Sequence, residues 1–148
     1  MSGILVHSTS IRMTAHTRGV LNEVLDYFSK DPDLVNLKMV NVFRLALYAL
    51  SYMSEAELQH VDRTVQIQGK AIDGTPLRIP GKFYQERVLP LVGKFSNAVT
   101  RKNGVNVSQL TIKGVHFFHQ RLIENNAEFS NLIREIKGKQ FKDNYDLC

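Results

Sequence analysis

Apolar side chains recur every three or four residues over most of the chain, which is the spacing of helices with one buried face. The first such stripe lies in residues 17–28. Asp31-Pro32 interrupts it, and because Asp caps helix N-termini and Pro suits the first helical position, we expect a second helix to begin there. Residues 34–50 are apolar around most of a helical circumference, which predicts the central helix of the core.

One short region has a different period. Residues 64–68 and 77–79 alternate apolar and polar side chains, as a half-buried strand does. Asp73-Gly74 between them is a turn pair. We therefore predict one small β-hairpin within residues 64–80, whose second strand is confined to a sheet edge by Pro76 and Pro80.

The other segments are predicted to be helical. Ser54 and Glu57 have the spacing of a capping box, which starts a short third helix. Pro90 lacks an amide proton and is expected to divide the next helical stretch into two pieces. Ser108 can cap the following helix, and Gly138 is expected to end the last one.

These patterns predict a mainly α fold, a single-domain bundle of five to six helices with one β-hairpin. The 148 residues are the usual size of one domain, and 43% hydrophobic with 22% charged residues is ordinary globular composition. We expect the helical domain to occupy residues 1–138. Residues 139–148 are expected to form a flexible C-terminal tail.

Positive charge is concentrated in one quarter of the chain. The whole chain carries a formal net charge of +5, yet residues 78–113 hold seven cations against a single acid, Glu86. Such an excess repels itself unless something anionic lies nearby, so this segment is the predicted binding site. Its cations are Arg78, Lys82, Arg87, Lys94, Arg101, Lys102 and Lys113.

The leading hypothesis is a non-catalytic protein that binds or packages nucleic acid, most plausibly RNA, with little sequence specificity. Lys137, Lys139 and Lys142 could extend the basic surface. Phe83, Tyr84 and Phe95 lie between the cations and could stack on bases, although helical spacing favours core positions for the two phenylalanines.

Two other classes stay open. A matrix-like or adaptor protein would use the same basic face to bind an acidic protein partner or an anionic membrane surface, and a self-assembling scaffold would form homo-oligomers. The sequence shows no widespread cellular family pattern, which favours a virus-encoded structural protein.

Enzyme motifs are missing from the sequence. It has neither a phosphate-binding Gly-Lys-Ser/Thr loop, nor a glycine-rich dinucleotide turn, nor a Gly-x-Ser-x-Gly elbow, so we expect no catalysis and no cofactor. His116 and His119 have helical spacing but no further ligands, so no metal site is predicted.

The location is expected to be intracellular and cytoplasmic, with the nucleus left open. The single cysteine, Cys148, allows no intrachain disulfide. The apolar run at residues 3–6 is too short for a signal peptide, and Lys38, Asn41 and Arg44 interrupt the most apolar stretch of the chain, so no membrane span is predicted.

Overall fold

The computed structural model describes residues 6–99 and 105–148. Within these ranges the chain forms six helices and a two-stranded antiparallel sheet, which confirms the predicted mainly α class. The elements are β1 (Val6–Thr14), α1 (Ala15–Ser29), α2 (Met39–Ser51), α3 (Glu55–Thr64), β2 (Ala71–Pro80), α4 (residues 81–99), α5 (Val107–Glu124) and α6 (Asn126–Lys142).

The two strands are distant in sequence. β2 contains the second strand of the predicted hairpin, but its partner is β1, with Ser8 opposite Arg78 and Arg12 opposite Gly74. The prediction of a first strand at residues 64–68 is wrong, because Thr64 is the last residue of α3 and residues 65–68 have no regular secondary structure. Local alternation indicated where a strand lies but could not identify a partner some 65 residues away.

Both sheet edges carry side-chain contacts. The backbone amide of Arg12 donates to Ser108 Oγ at 2.9 Å, so Ser108 serves the sheet while Asn106 caps α5 in its place. On the other edge, Arg44 Nε donates to the carbonyl oxygen of Arg78 at 2.8 Å. These contacts and the prolines of β2 limit pairing with another strand.

The core is built around α2. Phe43, Leu47 and Leu50 are fully buried, as the apolar circumference of this helix predicts. α2 begins at Met39, later than predicted, because residues 31–37 form turns and the backbone amide of Lys38 donates to the side chain of Asn41.

α2 and α5 cross in close contact at Gly114. A Cβ atom on Gly114 would lie 2.7 Å from the Cβ atom of Ala46 and 3.1 Å from its carbonyl oxygen. Such distances leave no room for any side chain. The contact therefore requires glycine at this position of α5.

α4 continues through Pro90. Residues Tyr84–Val88 form a π-helical turn, in which the amide of Leu89 donates to the carbonyl oxygen of Tyr84, five residues earlier. The wider turn accommodates a residue without an amide proton, so Pro90 modifies the helix and does not divide it into the two predicted pieces.

The C-terminal segment is packed, in contrast to the predicted flexible tail. α6 extends past Gly138 to Lys142, and Tyr145 and Leu147 are buried in the core cluster. The backbone amide of Leu147 donates to Gln140 Oε1 at 2.7 Å. Two isolated apolar residues carry no periodic signal, which is why the pattern did not reveal their burial.

We predict that Gly114→Ala lowers the free energy of unfolding by about 1–3 kcal/mol or more, because the new methyl group overlaps Ala46. Gly138→Ala is the matched control, since a Cβ atom there meets nothing within 4 Å. It should raise stability by about 0.5–1 kcal/mol through helix propensity. Urea denaturation measures both, and equal effects of the two substitutions would contradict the close crossing.

Candidate functional site

The cations of the basic segment that the structure describes do not share one surface. The ammonium group of Lys113, a residue of α5, reaches the end of α3. The side chains of Arg87 and Lys94, both on α4, reach the end of α2, while Arg78 is on β2. Arg101 and Lys102 lie outside the described residues.

Lys113 is held inside the fold. Its ammonium group lies 3.1 Å from Asp62 Oδ1 and 3.2 Å from the carbonyl oxygen of Val65, and only 12% of its side chain is exposed. This cation neutralises an acid and caps the last turn of α3. It is not available to a partner in this arrangement.

Arg87 and Lys94 converge on the C-terminal end of α2. Arg87 donates to the carbonyl oxygen of Ser51 at 3.1 Å and to its hydroxyl oxygen at 3.3 Å. Lys94 donates to the carbonyl oxygens of Ser51 and Met53, at 3.3 and 2.9 Å. The two cations satisfy carbonyl groups that a helix end leaves without partners.

Tyr52 lies between two cations at the same end of α2. The guanidinium carbon of Arg87 is 3.7 Å from the centre of its ring, and Lys139 Nζ is 3.6 Å from it. The hydroxyls of Tyr48 and Tyr52 both donate to Asp143 Oδ2, and these bonds lower the pKa of Asp143. The arrangement holds α6 and the segment after it against α2.

Lys82 and the remaining lysines have mixed roles. Lys82 is exposed, with its ammonium group 3.0 Å from the carbonyl oxygen of Asp143 and 5.2 Å from the ring of Tyr145. Lys137 donates to the carbonyl oxygen of Asp33, on another side of α6. Lys142 is exposed.

The aromatic residues of the basic segment do not form a stacking platform for bases. Phe83 and Phe95 are 0% and 1% exposed, in agreement with the core positions that their spacing favours. Tyr84 stacks on His7 with ring centres 3.8 Å apart. Base stacking by these three rings would need a rearrangement of the fold.

The outer face of the sheet presents unpaired cations. Arg12 and Arg78 are exposed, and neither guanidinium group has a hydrogen-bond or ion-pair partner within residues 6–99 and 105–148. Ser8 and Ser10 are exposed on the same strand as Arg12. The two strands contain one acid, Asp73, and its carboxylate is bound to Arg18 at 2.7 Å.

Sequence reasoning identified Arg78 but missed Arg12, because Arg12 lies far from the basic segment. A signal for Arg12 was present in β1. Ile11 and Met13 are apolar while Ser10 and Arg12 are polar, which is a strand period that places Arg12 on the solvent face.

His116 and His119 have separate partners. The ring of His116 is buried and its Nε2 lies 2.9 Å from Thr17 Oγ1, whereas His119 contacts the carboxylate of Glu23. Among the described residues, no three His, Cys, Asp or Glu side chains are grouped so that they could hold a metal ion.

We predict that acid destabilises the protein through His116. Burial, reinforced by nearby His16, His119 and Lys113, lowers the pKa of His116 to about 4. The unfolded chain therefore takes up a proton near pH 6.5 while the folded chain does not. The free energy of unfolding should therefore fall by up to about 3 kcal/mol as the pH is lowered from above 6.5 to 4. Urea denaturation across this pH range measures the loss of stability. If a His116→Gln variant showed the same pH dependence as the unmodified protein, the effect could not be attributed to His116.

We further predict that Lys94→Met lowers the free energy of unfolding by about 1–2 kcal/mol, because the carbonyl oxygens of Ser51 and Met53 lose a charged donor. Lys38→Met is the control, since Lys38 is exposed and its side chain makes no hydrogen bond or ion pair within the described ranges. Thermal denaturation compares the two. Unchanged stability of Lys94→Met would mean that this lysine does not cap α2.

No helix in the described parts of the chain combines the length and the apolar character needed to cross a lipid bilayer. Comparisons with protein families, curated proteins and solved structures found no match for this chain.

Proposed function

We propose that the protein is a non-catalytic nucleic-acid-binding protein that contacts the sugar–phosphate backbone, with RNA favoured, through the outer face of its sheet. The main observation in support is that Arg12 and Arg78 have exposed guanidinium groups without a partner in the described residues. Guanidinium groups bind phosphate oxygens with two parallel hydrogen bonds, which suits them to a phosphate backbone.

The register of the sheet supports contact with more than one phosphate. Arg78 is opposite Ser8, and Arg12 is four residues further along β1. Four residues of strand span roughly 13 Å, so the two guanidinium groups can contact different phosphates of one strand. Lys82, two residues after β2, is exposed but donates to the carbonyl oxygen of Asp143, so the proposal does not rely on it.

The side chains between the two arginines are compatible with a polar ligand. Ser8 and Ser10 expose hydroxyl groups that can donate to phosphate oxygens or bond to the 2′-hydroxyl group that distinguishes RNA from DNA. The outward-facing positions of Val6–Thr14 and Ala71–Pro80 carry no aromatic ring for base stacking, so binding should depend on the backbone and show little sequence specificity. Dissociation constants near 10⁻⁴–10⁻⁶ M are about what such contacts give at physiological salt.

We predict that Arg12→Glu with Arg78→Glu weakens binding of a single-stranded RNA at least tenfold at low salt and reduces the magnitude of the slope of log affinity against log salt by about 1.4. The reason is the loss of two phosphate contacts. Fluorescence anisotropy with a labelled RNA of mixed sequence measures both, and the same DNA sequence tests the preference for the 2′-hydroxyl group.

The matched control is Lys38→Glu with Arg63→Glu. It changes the net charge by the same amount as the first double variant, but at two exposed residues that lie outside the strands. Equal losses in both double variants would mean that only net charge matters and would contradict the assigned face. Vesicles with anionic headgroups are tested as a third ligand, after RNA and DNA. Capture by vesicles without any binding of RNA or DNA would replace the proposal with the membrane-surface alternative.

A further inference from the structure

One edge of the two-stranded sheet has unpaired backbone groups, at residues 6–10 of β1. Antiparallel strands alternate between residue pairs that exchange backbone hydrogen bonds and pairs whose backbone groups point away from the partner strand. Arg12 belongs to the second kind, because its amide donates to Ser108 Oγ and not to β2. Ser8 and Ser10 occupy the same alternate positions, so their amide and carbonyl groups also point away from β2. These groups have no partner in the described part of the chain.

The opposite edge of the sheet, on β2, is protected against strand pairing. Pro76 and Pro80 lack amide protons at its outward positions, and a side chain of α2 occupies the outward carbonyl oxygen of Arg78. Prolines and covered backbone groups are devices that proteins use to prevent pairing at an edge. Ser8 and Ser10 are exposed and have short, uncharged side chains, so residues 6–10 of β1 carry no such device. Outward amides and carbonyls in alternation are complementary to the backbone of another extended strand.

The unpaired stretch matches a second copy of itself. Ser108 occupies the amide of Arg12, so the outward positions that stay available are 6, 8 and 10. Three evenly spaced positions are symmetric about the middle one. Two antiparallel copies related by a two-fold axis at Ser8 therefore pair position 6 with 10, 8 with 8 and 10 with 6. In this register every outward amide and carbonyl group of the stretch has a partner, and the contact made by Ser108 is kept.

The side chains on the paired strands do not oppose this register. Ser8 lies opposite the same residue of the second copy, and Val6 lies opposite Ser10. The charged residue of β1, Arg12, is eight residues from its copy along the paired strands, which is roughly 26 Å and exceeds the screening length of about 8 Å at physiological ionic strength. The two copies of Arg78 are separated by three strand spacings, or about 14 Å. No like charges therefore face each other directly across the axis.

We infer that two copies of the chain associate through antiparallel pairing of residues 6–10 of β1, which forms a four-stranded sheet in the order β2-β1-β1-β2. The pairing itself does not depend on the proposed function. It has a consequence that does rest on that function. The two outer faces become one continuous face that carries two copies each of Arg12 and Arg78, so a single nucleic-acid strand can contact both copies of the chain.

The first test is sedimentation equilibrium of the full chain without nucleic acid. One short strand per copy makes a small interface, so the mass should double only as the concentration approaches about 1 mM. Ser8→Pro removes the amide at the two-fold axis and should weaken association at least tenfold. The sheet already accepts proline at outward positions, as Pro76 and Pro80 show. Ser8→Ala is the matched control, because it keeps the amide and should associate within twofold of the unmodified chain. Circular dichroism checks that both variants fold.

The second test is amide hydrogen exchange of the unmodified chain, which needs no variant. The amides of Ser8 and Ser10 should exchange more slowly as the concentration rises, whereas the amide of Arg12 should be protected at every concentration by its bond to Ser108. A chain that stays monomeric up to about 1 mM would overturn the inference and assign the edge to a strand of a different protein. Association that Ser8→Pro leaves unchanged, or that does not protect the Ser8 and Ser10 amides, would also overturn it. RNA is absent from both tests, so failure of the proposed function would not affect their results.

Discussion

The close contact between Ala46 and Gly114 determines how the other helices can pack. Since neither residue has a side chain beyond Cβ, the backbones of α2 and α5 approach closely enough for α2 to be buried around its circumference. α1 and α6 then pack against α5, and the C-terminal end of α2 projects toward α3, α4 and α6. The carbonyl groups that receive Arg87 and Lys94 belong to this end.

Much of the positive charge of the basic segment serves the fold. Arg87 and Lys94 donate to carbonyl oxygens at the end of α2, and Lys113 does the same at the end of α3 while pairing with Asp62. Helix ends carry partial negative charge, so cations placed there lower the energy of the folded chain. A run of cations in a sequence can therefore reflect several helix ends that meet in space, with no anionic partner required.

The proposed nucleic-acid-binding surface is confined to the outer face of the sheet. This face has small polar side chains and two guanidinium groups that have no partner among the described residues, which suits a flexible polyanion.

The sequence by itself determined the mainly α class, the buried face of α1, the apolar character of α2 and the capping box of α3. Each is encoded in a period or motif within about ten residues, and local energetics decide it. The tertiary structure decided the pairing of β1 with β2, the continuation of α4 through Pro90, and the burial of Tyr145 and Leu147. It also decided which of the described cations have no partner among the described residues. These outcomes depend on groups far apart in the chain, and periodicity carries no record of which distant carbonyl, carboxylate or strand a side chain will meet.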